Sequence, residues 1–307
     1  MRISSSYLYQ QNVTQMNNLM SNLAKTQQQA SSGNRVLTAS DDPAAAAQML
    51  EIGKMKTANT QFASNRQNAK STLSLVDGSL SSASNLLASV KTLAIQAGNG
   101  ALDDDQRNGL AMRLRGDISQ LQSLANSTDG TGKYLFAGYQ ASTQPFVQDP
   151  STGVISYQGD QGQQTIEVTQ DHQMATGIPG QTVFGSGDSD VFKNLTALAN
   201  QLSTSMAKYP GGNTQFTADL LKSSGQIDTA LTRVTTLQTM VGSNMNELDT
   251  LDSAGSTMDV TYQQMLANAG QVDIIQSISQ LSQQQLALQA AQKSFVQISN
   301  LSLFSYM

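Results

Sequence analysis

The sequence holds 307 residues, with 17 Lys and Arg against 22 Asp and Glu, a formal net charge of −5, no cysteine and no tryptophan. The acidic balance argues against a general nucleic-acid binder, the missing cysteines exclude disulfides and thiolate metal sites, and no apolar run approaches the ~18 residues that membrane insertion requires. Aromatics at 5% and charged residues at 13% are low for a compact enzyme and suit an extended helical protein that buries narrow stripes instead of a thick centre.

Arg2 is not followed by the apolar block of a signal peptide, so any export is expected to use another route. Residues 7–31 read as a heptad helix. Tyr9, Val13, Met16, Met20, Leu23, Gln27 and Ala30 alternate in steps of four and three along one seam. Its other faces carry Gln, Asn, Ser and Thr, and the helix reads equally as a plain core helix or as one that awaits a partner.

The stretch Ser32 to Ala47 is a joint. Gly33 and Asn34 can take φ > 0 and stop the preceding helix. Arg35 to Ser40 is then an irregular connection. Pro43 pushes Asp42 out of the α region, which sets Asp42 as N-cap and Pro43 as the first helical residue. Asp41 and Asp42 are also the first acidic residues of the chain.

A long seam follows from Pro43 to about Gln96, through Ile52, Met55, Phe62, Ala69, Leu73, Val76, Leu80, Ala83, Leu87, Val90 and Ala94, a rod of roughly 80 Å. Gly98-Asn-Gly100 stops it. Asp103-Asp-Asp105 opens a second helix that runs to about Asn126. Three adjacent carboxylates suit a helix N-terminus and lack the glycine-containing spacing of a calcium loop.

From Thr128 the pattern turns to short strands at 133–139, 146–147, 154–158, 164–169 and 182–184, separated by Gly, Pro and Asp turns. Helices return over 189–207 and over about 214–251. The second of these, with Leu220, Ile227, Leu231, Val234, Val241, Met245 and Leu248 on its seam, is the expected antiparallel partner of the long rod. The C-terminal stretch from Gln271 carries Ile274, Ile278, Leu281, Leu288, Ala291, Phe295, Ile298 and Leu301 as a helical stripe, interrupted at Gln285.

All 22 acidic residues lie between Asp41 and Asp273; before them stand only Arg2, Lys25 and Arg35, and after them only Lys293. Both ends are therefore nearly charge-free, and a lone helix pair with such neutral faces buries too little to be stable. Packed among copies of itself, it avoids the cost of desolvating charges. The expected fold is mainly α: a long antiparallel helical bundle built from both chain ends, with a small β-rich domain inserted in the middle. The expected domains are 1–40 with 271–307, a terminal coiled-coil assembly region disordered in the monomer; 41–127 with 189–270, a helical rod; and 128–188, the β-rich insertion. The expected assembly interface comprises Tyr9, Val13, Met16, Met20, Leu23, Ile274, Ile278, Leu281, Leu288, Phe295, Ile298 and Leu301, and the joint comprises Gly33, Arg35, Asp41, Asp42 and Pro43.

No catalytic, cofactor-binding or metal-ligating residue is expected. His172 is the only histidine, with Asp171 as its nearest carboxylate in sequence, and no His-Glu-x-x-His, phosphate loop or nucleophile elbow occurs.

Ser32-Gly-x-Arg35 followed by Ala39-Ser-Asp-Asp-Pro-Ala44, near the start of a chain whose ends are paired amphipathic helices, resembles the bacterial flagellin family. Leu124-Ala-Asn-Ser-Thr-Asp-Gly-Thr-Gly-Lys-Tyr-Leu-Phe-Ala-Gly-Tyr139, Gln283 to Phe295 and Leu301-Ser-Leu-Phe304 are similar to its hook–filament junction branch more than to filament flagellins. Met1-Arg-Ile-Ser4 and Tyr157-Gln-Gly-Asp160 agree, while Asn244 stands where the family usually places an Arg. The resemblance implies a structural axial protein, exported unfolded through the flagellar type III apparatus. It also implies an export chaperone that holds residues 271–307, and neighbours that are copies of itself, the hook-associated junction protein and flagellin. Filament flagellin itself and a soluble coiled-coil adaptor remain the alternatives.

Overall fold

The computed structural model describes residues 5–304, without the side chains of 5, 6, 8 and 298–304. Their order is α1 (Ser5–Ser32), α2 (Pro43–Ala97), α3 (Asp104–Ala125), β1 (Phe146–Gln148), β2 (Ile155–Tyr157), β3 (Thr165–Thr169), β4 (His172–Ala175), α4 (Gly180–Phe184), α5 (Val191–Ser203), α6 (Gly212–Gly270) and α7 (Ile274–Phe304), with short 3-10 turns at Gly187–Ser189 and Met206–Lys208. The mainly α architecture with a small central β region agrees with the sequence reading. The chain divides into two compact units, 1–59 with 257–307 and 60–256. This division falls inside α2 and α6, whereas the composition break falls at the joint.

In the unit 60–256 the heptad stripes become the core. Leu73, Val76, Leu80, Ala83, Leu87 and Val90 of α2 are buried with Leu114, Ile118 and Leu121 of α3, Leu195, Leu198 and Leu202 of α5, and Ile227, Val234, Val241 and Leu248 of α6. Ion pairs Arg66–Asp252 and Lys91–Asp228 connect α2 to α6, the number falling on one helix as it rises on the other, so the two run antiparallel as expected. At the start of α3, Asp103 accepts the Gln106 amide at 2.7 Å while the Gln106 side chain accepts the Asp103 N–H at 3.1 Å, a reciprocal cap. Asp104 turns to Arg107 and to the Ser205 hydroxyl.

The central region differs from the sequence reading in three places. Residues 133–139 form a turn, not a strand. Only an isolated bridge from Tyr134 to Thr128 forms there, Leu135, Phe136 and Ala137 are all buried, and Gly138 at φ 72 bends the chain so closely past Asp160 that no Cβ fits. Residues 182–184 belong to the one-turn helix α4, which buries Val183 and Phe184 side by side. β4 has no counterpart in the sequence reading because His172-Gln-Met-Ala175 has no β-branched or aromatic residue. It pairs antiparallel with β3, with Ile166 opposite Met174, and the pair carries an irregularity between Glu167 and Thr169. β1 and β2 form a second, separate two-stranded sheet.

Two supports hold these sheets in place. The Asn126 amide at the end of α3 exchanges hydrogen bonds with the backbone of Phe146, at 2.9 Å in each direction. Asn65 donates to the Glu167 carbonyl at 2.8 Å, and Arg66 donates to the Val168 carbonyl at 3.1 Å, so α2 caps the outer edge of β3.

α6 is longer than expected and continues to Gly270. Gly255 lowers helix propensity by about 1 kcal/mol, too little to break a helix of this length.

Candidate assembly interface

The unit 1–59 with 257–307 contains the antiparallel pair of α1 and α7. The Tyr9 and Phe295 rings meet 5.0 Å apart at one end. At the other, the Gly33 carbonyl accepts the Val272 N–H at 3.0 Å and the Arg35 N–H donates to the Gly270 carbonyl at 2.7 Å. The pairing of the two chain ends thus agrees with the sequence reading.

The stripes within this pair are split. On α7 the inward positions are Ser277, Leu281, Gln284, Leu288, Ala291 and Phe295, in strict steps of four and three. On α1 they are Val13, Met16, Leu19, Leu23, Thr26 and Ala30. Of the residues expected at the interface, Val13, Met16, Leu23, Leu281, Leu288 and Phe295 therefore face the partner helix. Met20 does not: it is 44% exposed, and Leu19 takes its place. Ile274 and Ile278 also point outward, at 50% and 53% exposure, joined by Ile275, Leu286 and Val296. Tyr9 keeps more than half its surface free beside Phe295. The side chains of Ile298 and Leu301 lie outside the described residues, as does Met1-Arg-Ile-Ser4. An isolated helix pair thus keeps one apolar face inward and leaves a second in water.

The joint residues come together in one cluster. α1 ends at Gly33, φ 72, where left-handed backbone is needed; Asn34 stays at negative φ and forms an antiparallel bridge with Gln271 instead. Arg35 donates to the Ala269 carbonyl and to Asp42, each at 2.9 Å. Asp42 accepts the Ala45 N–H at 3.0 Å as the cap of α2, with Pro43 at its first position. Asp41 accepts the Leu37 and Thr38 amides and pairs with Lys25 at 2.7 Å. Sequence reasoning does not place Lys25, Ala269, Gly270 or Gln271 in the joint. Lys25 has a signal, being the one cation in a helix free of acids. The other three act through backbone groups, which no side-chain pattern reveals.

The Lys25 ammonium first, then the Thr38 amide, hold the Asp41 carboxyl down from the ordinary 3.8 to about 2. Asp42 is lowered too, by the Ala45 amide and by Arg35. A carboxyl depressed in the folded joint contributes fully above its unfolded value of about 3.9, and that contribution is lost as pH falls toward the folded value. Protection of the Leu37 and Thr38 amides against exchange is therefore expected to drop between about pH 4 and about pH 2. In Asp41→Asn the drop should vanish. An unchanged profile in that variant contradicts the assignment.

His172 lies with its Nε2 3.0 Å from Glu247 Oε1 on α6, both side chains about half exposed, so its carboxylate neighbour is Glu247 and not Asp171.

The bacterial flagellin N-terminal helical region matches residues 3–141. Over 99% of both chains, the sequence is 34% identical to flagellar hook-associated protein 3 of Salmonella typhimurium and 32% identical to that of Escherichia coli. The chain belongs to the flagellar hook-associated protein 3 family. A solved structure of a putative flagellar hook-associated protein from Vibrio parahaemolyticus is 26% identical, superposes with a TM-score of 0.68, and matches 75% of this chain and 100% of its own. Xanthomonas campestris FlgL, 21% identical and covering 70% of this chain and 99% of its own at a TM-score of 0.64, shares the fold. By contrast, the flagellar filament 41 kDa core protein of Borreliella burgdorferi matches over only 39% of this chain, at 27% identity. A full-length likeness to hook-associated protein 3 and a partial one to filament proteins favour the junction reading over flagellin.

Proposed function

We propose that this chain is a structural axial component of the bacterial flagellum, which joins the neighbouring hook-associated junction protein to the flagellin filament by self-assembly through its terminal helices. The observation that carries this reading is the end-to-end likeness to hook-associated protein 3, supported by an α1–α7 pair whose outer apolar stripe is left in water. In this reading 1–40 with 271–307 is the assembly region, ordered fully only among other subunits; 41–127 with 189–270 is the rod; and 128–188 is an outward domain. Its neighbours are copies of itself, the hook-side junction protein and flagellin. The protein reaches the extracellular flagellum through the type III export apparatus, with an export chaperone on residues 271–307. No enzymatic step, cofactor, nucleic acid or membrane insertion enters. No described helix is long and apolar enough to cross a membrane, and His172 serves as a surface strut to Glu247.

Limited proteolysis of the dilute monomer tests the assembly region. Cleavage is expected first between Ser32 and Asp42 and near Asn268 to Gln271, and it should be suppressed when the chain is incorporated on hooks. Ends that stay protected in the monomer would sink the proposal and favour a soluble coiled-coil adaptor. Seeding separates it from filament flagellin: growth should stop after a short zone, and unlimited filaments would reverse the reading.

A further inference from the structure

The turn between α2 and α3 carries a reactivity that an axial role does not use. The sequence contains two Asn-Gly pairs, Asn99-Gly100 and Asn108-Gly109. Such a pair exposes the Asn side-chain amide to its own following backbone nitrogen, because glycine has no Cβ to hinder ring closure. The two pairs sit in opposite settings. Asn108-Gly109 lies within α3, where the Gly109 N–H is committed to the Asp105 carbonyl one turn earlier and the helical backbone is fixed.

Asn99-Gly100 lies in the exposed turn after α2. There the Asn99 backbone is held by its N–H to the Gln96 carbonyl and by the Leu102 N–H to its own carbonyl, each at 3.1 Å. The Asn99 Oδ1 accepts the Ala101 N–H at 3.1 Å. This bond turns the side-chain amide along the following backbone, on the side where the Gly100 nitrogen lies one residue nearer than the Ala101 nitrogen. Asn99 and Gly100 are both exposed, so solvent base reaches the turn, and a Cβ built on Gly100 meets nothing within 4 Å.

We propose that Asn99 is a site of spontaneous intramolecular modification, converting through a cyclic imide with Gly100 to aspartate and isoaspartate. The Gly100 nitrogen gives its proton to solvent base and forms a bond to Asn99 Cγ. The Cγ–Nδ2 bond breaks, and Nδ2 leaves with a proton as ammonia. Water then adds to either carbonyl of the ring and opens it, leaving a carboxylate; nothing is oxidised or reduced. Holding the two reacting groups together removes the entropy of bringing them into line, and the Ala101 N–H stabilises the charge that builds on Oδ1 during attack. The product places a negative charge at the C-terminal end of α2, where the helix dipole disfavours it, and isoaspartate lengthens the backbone of the turn.

The test is peptide mapping of the full chain after incubation at mildly alkaline pH in isotopically heavy water. Conversion is expected at Asn99 before Asn108, with heavy oxygen in the new carboxylate, and it should be lost in Gly100→Ala. That variant has room for its methyl and a backbone angle that an alanine can adopt. In strong denaturant the difference between the two sites should disappear, since α3 no longer guards Asn108. Conversion at Asn108 as fast as at Asn99 in the folded chain overturns the proposal. So does conversion at Asn99 that persists in Gly100→Ala, or an Asn99 that stays intact while the denatured chain reacts.

Discussion

Replacing Phe184 by alanine is expected to destabilise the unit 60–256 by about 4 kcal/mol, the full cost of truncating a phenylalanine in a core that cannot collapse around the gap. Phe184 sits on α4 at the centre of an aromatic cluster, with ring centroids 5.8 Å from Phe136, 5.2 Å from Phe146 and 5.5 Å from Phe192. The first two contacts are edge-to-face, a geometry that adds to simple burial. The four rings come from the 133–139 turn, β1, α4 and α5, so one side chain packs against elements that are otherwise anchored separately, such as Phe146 by Asn126 and the Phe136 carbonyl by the Gly180 N–H. Its removal leaves a cavity that elements tethered at separate points cannot close. Denaturant unfolding followed through the β region measures the cost. Phe184→Leu should restore much of it, and a loss of less than about 1 kcal/mol in the alanine variant contradicts the central place given to this ring.

Arg66→Ala should come next, at about 2–3 kcal/mol. Arg66 is only 4% exposed, and its guanidinium donates to the carbonyl of the fully buried Val168 while it pairs with Asp252 at 3.2 Å. Asp252 is itself mostly in water, so the ion pair contributes little. The larger part of the effect is the Val168 carbonyl left without a donor, together with the lost packing of the arginine stem. The β3–β4 amides are expected to exchange about a hundredfold faster in this variant, with α3 and α5 unaffected. Arg66→Lys, which keeps the charge but loses the planar fork, should recover only part of the protection. Uniform acceleration across the unit would mean that Arg66 supports the whole core and not this hairpin.

These two side chains also mark where the sequence ceases to be readable. Long stripes such as Leu73 to Val90 and Ile227 to Leu248 are legible because the same period repeats over many turns and its phase stays fixed. Gly33, Asp42 and Pro43 are legible because stops and caps depend on local backbone geometry. β4 and the 133–139 turn are not, since their conformation is imposed by distant groups: Arg66 and Asn65 on α2 for the hairpin, Asp160 and the aromatic cluster for the turn. Local composition carries no record of either.

The assembly stripe shows an intermediate case. Heptad counting places Leu281, Leu288 and Phe295 on the pairing seam, and they face α1. It also places Met20, Ile274 and Ile278 there, and they face water. A helix whose two faces both carry apolar residues offers two seams, and periodicity alone cannot tell which one the partner within the chain will take. The charge-free ends are the better signal, because they concern every face at once.

That the terminal helices carry the assembly is the central claim, and deleting Gln285 to Met307 tests it most directly. The deletion removes the part of α7 that bears Leu288 and Phe295 and leaves the unit 60–256 untouched. Cells that express the truncated chain in place of the full one, viewed by electron microscopy, should carry complete hooks and release their filaments into the medium. Filaments that remain attached to those hooks would contradict the account.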